Sequence, residues 1–127
     1  GVGYERSQEM VRLGDVARAN IPISLHSDMP MAPASPLTLM HAAVNRVNYA
    51  DEVAGPNQRI SALTALMGVT LNAAYTINLE EDYGSISVGK YANFTVLSDN
   101  PLKVNPLKIK DIQVKGTIVE GRIFSKK

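Results

Sequence analysis

Apart from a short run at 21–28, apolar positions recur at helical spacing along the first two thirds of the chain and at alternate positions along the last third, the period changing near Gly84. Ser7 can cap a helix that carries Met10, Leu13, Val16 and Ala17 on one side and Glu9, Arg12, Asp15 and Arg18 largely elsewhere, with Asn20 as a left-handed stop. A short apolar run, Ile21 to Leu25, comes next and ends in His26, Ser27 and Asp28. Beyond it Pro30, Pro33 and Pro36 exclude a continuing ladder. The pattern predicts a buried strand over about 21–28. Its side chains alternate, with Ser24, His26 and Asp28 on one face and Ile23, Leu25 and Ser27 on the other. One helix–strand unit cannot build a parallel sheet, so the neighbours of this strand must come from elsewhere.

Ser35 followed by Pro36 is a helix start, a capping hydroxyl before a residue with φ already set. Leu37, Met40, Val44 and Val47 mark one face of that helix, and Asn45, Arg46 and Asn48 lie around the back. The stretch Asp51 to Arg59, with Gly55 and Pro56, reads as a loop. Ser61 starts a second helix through Leu63, Leu66 and Met67 that Gly68 ends or kinks, and Thr70 caps a short third one, Leu71 to Tyr75. From Gly84 to Lys90 the residues suit two short extended pieces around a turn, and Tyr91 to Leu97 suits a strand. After a short connecting turn beyond Pro106, Ile112 to Lys115 alternates, and Thr117–Val119 joins Arg122–Phe124 through Glu120-Gly121, a tight hairpin signal. The last third is therefore expected to be a small antiparallel sheet.

Composition changes this picture little. The 127 residues are one domain's length, 45% of them hydrophobic, and 13 basic against 12 acidic residues leave a net charge of +1. The basic residues thicken toward the end of the chain without interleaved aromatics, which argues for a solvated face and against nucleic acid. The absence of cysteine removes disulfides and thiolate metal sites and suits a reducing compartment, so a cytoplasmic protein is the expectation. No apolar run approaches the roughly 20 residues of a membrane helix, so no membrane partner is expected.

The candidate chemistry lies at the end of the 21–28 strand. In sheets built from strand–helix units ligands sit at the carboxyl ends of strands, which is where Asp28 falls. His26 shares its face and can line a pocket and bind substrate, or be a hydrogen-bonded core histidine. His41 reads as structural or exposed, Ser27 as a backbone-bonding residue, Met29 and Met31 as loop fillers, and Arg46 as a solvated helix residue rather than a substrate anchor.

Three blocks then carry a resemblance. Leu25-His26-Ser27-Asp28-Met29-Pro30, Ser61 to Ala74, and Tyr83 to Leu97 with Thr117-Ile118-Val119-Glu120-Gly121-Arg122 are similar, in this order, to the carboxyl-terminal part of metal-dependent amidohydrolases, in the branch with N-substituted formamide deformylases. The resemblance implies an α/β fold. Residues 1–77 would be the end of a TIM barrel, its last helix–strand unit plus trailing helices, and 78–127 the carboxyl-terminal strands of a β-sandwich. It also implies that Asp28 binds a divalent metal, zinc foremost, and acts as general base, with His26 toward a small amide-type substrate.

Two departures stand out. Asn93 occupies a position where relatives commonly carry aspartate, in the closing sheet and away from the chemistry. More important, two histidines fifteen positions apart and no His-x-His cannot complete a metal site, which usually takes about three protein ligands. The chain is thus expected to be a fragment of a longer enzyme that needs the missing amino-terminal part of the same protein as partner. Its open strand edges favour self-association. Two functional readings follow: a parent hydrolase of carbon–nitrogen bonds acting through a metal-activated water, and a 127-residue chain that is itself a non-catalytic assembly module without bound metal.

Overall fold

The computed structural model describes residues 3–125. Among them five α-helices precede three strands: α1 (Tyr4–Gln8), α2 (Leu13–Arg18), α3 (Pro36–Asn45), α4 (Ala62–Gly68), α5 (Leu71–Thr76), β1 (Phe94–Leu97), β2 (Val114–Val119) and β3 (Arg122–Ser125). The strands form one antiparallel sheet in the order β1-β2-β3. The helical part followed by a small antiparallel sheet agrees with the change of period.

The first helix departs from expectation. It forms as two pieces, because Val11 takes a φ of 53° and the carbonyls of Met10 and Val11 turn toward the Arg46 guanidinium, which donates to them at 2.8 and 3.0 Å. A carbonyl aimed at a guanidinium is lost to the helical ladder. Ser7 consequently sits inside α1 and donates its hydroxyl to the Tyr4 carbonyl at 2.6 Å instead of capping. Asn20 does stop α2 in the left-handed region, at φ 56°.

The later helices start where their caps are. The Ser35 hydroxyl accepts the Thr38 N–H at 3.3 Å with Pro36 in the first turn, and the Ser61 hydroxyl accepts the Thr64 N–H at 3.0 Å. Thr70 precedes α5 without a side-chain cap; its hydroxyl donates back to the Leu66 carbonyl at 2.7 Å. The Asp51–Arg59 loop holds a single 3-10 turn, Pro56–Gln58, and the buried Gln58 side chain accepts the Asp15 N–H at 3.0 Å, tying the loop to α2.

The core is built from Ile23, Met40, Ala43, Ile60, Ala65 and Ile109, with Leu13, Val16, Leu25, Leu37 and Leu66 packed around it. Met40 and Ile109 are the largest fully buried side chains. Ile109 lies on a 3-10 helix, Pro106–Asp111, where a plain connecting turn is expected from sequence, and this helix packs on α3. That contact explains a second departure. Asn45 is buried rather than at the back of α3, because its amide donates to the Pro106 carbonyl at 2.9 Å and to the His41 carbonyl at 3.0 Å.

In the sheet, Phe94 pairs with Ile118 and Val96 with Gly116, the register shifts between Val96 and Leu97, and Val119 pairs with Arg122. Glu120 and Gly121 both have positive φ, 49° and 80°, the backbone of a type I′ hairpin. Asn93 fastens this hairpin by accepting the Glu120 N–H at 2.7 Å. Only an acceptor is needed there, which asparagine and aspartate both supply, so the departure at Asn93 costs nothing. Gly84 to Lys90 forms bends and a turn, not extended pieces, since the Lys90 ammonium reaches back to the Glu80 and Tyr83 carbonyls and Tyr83 stacks on Tyr91 at 5.2 Å. No described helix is long and apolar enough to cross a membrane.

Candidate active site

The segment Ile21–Asp28 leaves α2 and runs to the proline-rich turn, yet it belongs to no strand among the described residues. The strand expected over about 21–28 finds no ladder partner among the described residues, its neighbours being expected from elsewhere. A ladder needs a neighbouring strand, and what lies beside this segment is helix: Leu25 N–H donates to the Gly68 carbonyl at 2.9 Å, and the Asn72 amide donates to the Ile23 carbonyl at 3.0 Å. Gly68 makes this approach possible. A Cβ there would lie 3.1 Å from the Ile23 carbonyl oxygen and 3.2 Å from Leu25 Cγ.

The alternation nevertheless holds. Ile23 is buried and Leu25 and Ser27 are half-buried, while Ser24, His26 and Asp28 are exposed. Asp28 ends the series with a φ of 53°, and its carbonyl accepts the Met31 N–H at 2.8 Å across the turn through Met29 and Pro30. The Asp28 N–H donates to His26 Nδ1 at 3.0 Å. His26 and Asp28 are therefore brought together, on the exposed side of a segment whose other side is pinned to α4 and α5.

The remaining candidates go elsewhere. His41 is buried in the contact of α3 with the Pro106–Asp111 helix, its Nδ1 3.2 Å from the Asn45 amide, and burial, then the Lys110 charge, lower its pKa. Arg46 is half-buried rather than a freely solvated helix residue. It ends α3 in the left-handed region, at φ 54°, and its guanidinium bridges the carbonyls of Met10, Val11 and Ala54. Met29 and Met31 are exposed on the loop, and Ser27 makes no side-chain bond among the described residues. The supporting pair Gly68 and Asn72 was not singled out for the site by sequence. A glycine inside an apolar helical run is the one signal that pointed to it.

Among the described residues no three His, Cys, Asp or Glu side chains come together to hold a metal ion. An exposed carboxylate at Asp28 fits as one ligand of such a site. His26 Nδ1 is already used by a backbone N–H, so the described residues furnish one ligand rather than a cage. A separate open apolar cavity of about 650 Å³ lies between α4–α5 and the sheet, lined by Leu66, Ala74, Tyr83, Phe94, Leu97 and Pro101 among others, and it includes neither His26 nor Asp28.

Residues 1–124 match the model of the amidohydrolase family. The chain belongs to that family. This amidohydrolase chain is 36% identical over 101 residues to the protein LONG AFTER FAR-RED 3 of Arabidopsis thaliana, covering 78% of the chain and 17% of the relative. It is also 36% identical over 84 residues to the N-substituted formamide deformylase of Arthrobacter pascens, covering 66% of the chain and 16% of the relative. Among solved structures it superposes on the 5-methylcytosine deaminase of Klebsiella pneumoniae with a TM-score of 0.62 at 21% identity, over 91% of this chain and 28% of that one. At that identity the likeness is one of fold. The chain thus spans less than a fifth of the curated relatives it matches. The resemblance carried by the three sequence blocks, to the carboxyl-terminal part of an amidohydrolase, holds.

Proposed function

We propose that the protein carrying this chain is a metal-dependent hydrolase of carbon–nitrogen bonds in non-peptide amides, with Asp28 as metal ligand and general base. The observation that carries the reading is the exposed Asp28 carboxylate at the tip of a segment pinned by α4 and α5, in a chain of the amidohydrolase family. The names of similar proteins, a deformylase of N-substituted formamides and a deaminase of 5-methylcytosine, support the bond type. A divalent cation, zinc foremost, would supply a water of lowered pKa and polarise the scissile carbon.

Asp28 is suited to take the proton of that water and deliver it to the departing nitrogen, since its carboxylate bonds no other side chain among the described residues. His26 shares the exposed face and presents a ring N–H to the substrate. Residues 1–77 belong on this reading to the end of a barrel and 78–127 to the closing sheet, and the other metal ligands come from the amino-terminal part of the same protein. The test is Asp28→Asn in the complete protein. Turnover of an N-alkylformamide should fall by at least about 100-fold with bound zinc reduced, and unchanged turnover removes Asp28 from the mechanism.

The 127-residue chain by itself reads as an assembly module. Ile123 and Phe124 on the edge strand β3 are 75% and 55% exposed, which favours self-association. A monodisperse monomer in light scattering at high concentration would refute this.

A further inference from the structure

Asp28 holds a backbone conformation, φ 53°, that costs a residue with a Cβ about 1–2 kcal/mol unless something local repays it. Its carboxylate does not, for among the described residues it makes no hydrogen bond. What fixes the peptide is on either side of it. The Asp28 carbonyl accepts the Met31 N–H, and the Asp28 N–H donates to His26 Nδ1. A side-chain acceptor taken by the N–H two residues on is the geometry of an Asx-turn, here built with an imidazole in place of a carboxamide. The bond needs the Nδ1 lone pair, so the neutral ring carries its hydrogen on Nε2.

We propose that His26 is a positioning residue, whose Nδ1 locks the left-handed turn that aims the Asp28 carboxylate. This rests on Asp28 being a metal ligand, and it adds what sets the direction of that ligand. It also fixes which half of the imidazole matters: Nδ1 acts through the backbone of Asp28, leaving Nε2–H as an outward donor on the same face. The side chain therefore cannot be exchanged for any hydrogen-bonding residue. Asparagine and histidine place an acceptor at the same distance from Cα, whereas glutamine reaches the Nε2 position and offers nothing at Nδ1.

The experiment compares H26N, H26Q and D28N in the complete protein, loaded with zinc and labelled with 15N at aspartate and histidine. The expected result is that H26N keeps zinc affinity within about 3-fold and keeps the Asp28 amide resonance near its original position, while H26Q loses about 10- to 100-fold in affinity and shifts that resonance. H26Q binding zinc as tightly as the parent overturns the inference. So does H26N impaired as severely as H26Q, which would assign the effect to Nε2 or to packing. D28N settles the underlying reading separately. If D28N binds zinc like the parent, Asp28 is not a ligand; if D28N fails and H26Q does not, only the role of His26 falls. Should H26Q not fold, H26A with the same two readouts takes its place, and retention of both signals there overturns the inference equally.

Discussion

Arg46 is the residue whose removal should reveal most about how the amino-terminal half is held. Its guanidinium donates to three carbonyls, Ala54 at 2.6 Å, Met10 at 2.8 Å and Val11 at 3.0 Å, two of them some 36 positions away in sequence. Hydrogen bonds to a charged group contribute about 1.5–3 kcal/mol each when buried. Two of these three are exposed, so the low end applies and part of it is lost to solvent, leaving about 2–3 kcal/mol for the set. The backbone gives an independent handle. Arg46 sits at φ 54°, where alanine pays the same left-handed penalty and glycine does not, a difference of about 1 kcal/mol. Arg46→Ala should therefore destabilise by about 2–3 kcal/mol and Arg46→Gly by about 1–2 kcal/mol, read as urea midpoints at constant m-value. Arg46→Lys keeps the charge but cannot fork to three carbonyls, so it should fall close to alanine. The reasoning is refuted if alanine lies within about 0.5 kcal/mol of the parent, or if glycine is as damaging as alanine.

Three further outcomes are expected. Gly68→Ala introduces a Cβ 3.1 Å from the Ile23 carbonyl oxygen, which the Asn72 amide holds in place; overpacking should outweigh the helix-propensity gain, for a net loss of about 1–2 kcal/mol in urea unfolding, and a neutral variant would show that the segment yields easily. Asn93→Asp keeps the acceptor for the Glu120 N–H and should unfold thermally with the parent, while Asn93→Ala, losing an exposed bond, should cost about 0.5–1 kcal/mol; equal behaviour of the two would dismiss this bond. Burial, then the Lys110 charge, hold the His41 pKa below its ordinary 6.5, so as pH falls through that value the unfolded chain takes up a proton that the folded chain resists. Stability should be complete above about pH 7, decline below it, and level off once pH is under the folded-state value; a His41→Gln chain should lack this slope. A urea midpoint that rises on acidification in the parent alone would reverse the sign.

What could be read from sequence and what could not divide by the distance between partners. Ser35 and Ser61 cap helices that begin one residue later, Asn20 stops a helix with its own φ, and Glu120-Gly121 turns a hairpin with backbone angles those residues tolerate. Each is decided within a few positions of chain. The break at Val11 depends on a guanidinium 35 positions away, and the burial of Asn45 depends on a carbonyl 61 positions away. Periodicity carries no information about either, because a polar residue that has found a distant carbonyl looks like one that faces water. The same reason made Arg46 and Asn45 read as solvated. Asp28 and His26 were legible as a pair from alternation alone, but the bond between them was not, since it requires the left-handed turn at Asp28 that no regular strand contains.

That turn also explains why the carboxylate and its support belong to different levels of the fold. The inward face of Ile21–Asp28 is secured by α4 and α5, through the Leu25 N–H, the Ile23 carbonyl and the buried Ile23 side chain. The tip is secured by its own residues, through His26 Nδ1 and the Met31 N–H. A strand in a completed sheet would satisfy its other backbone groups with neighbours on both edges, and buried backbone groups are nearly always satisfied. Adding those neighbours constrains the run from Ile21 to Ser27, whereas the direction of Asp28 is already set by the turn. A flanking strand would therefore raise the stability of the segment without altering the turn that carries the Asp28 carboxylate.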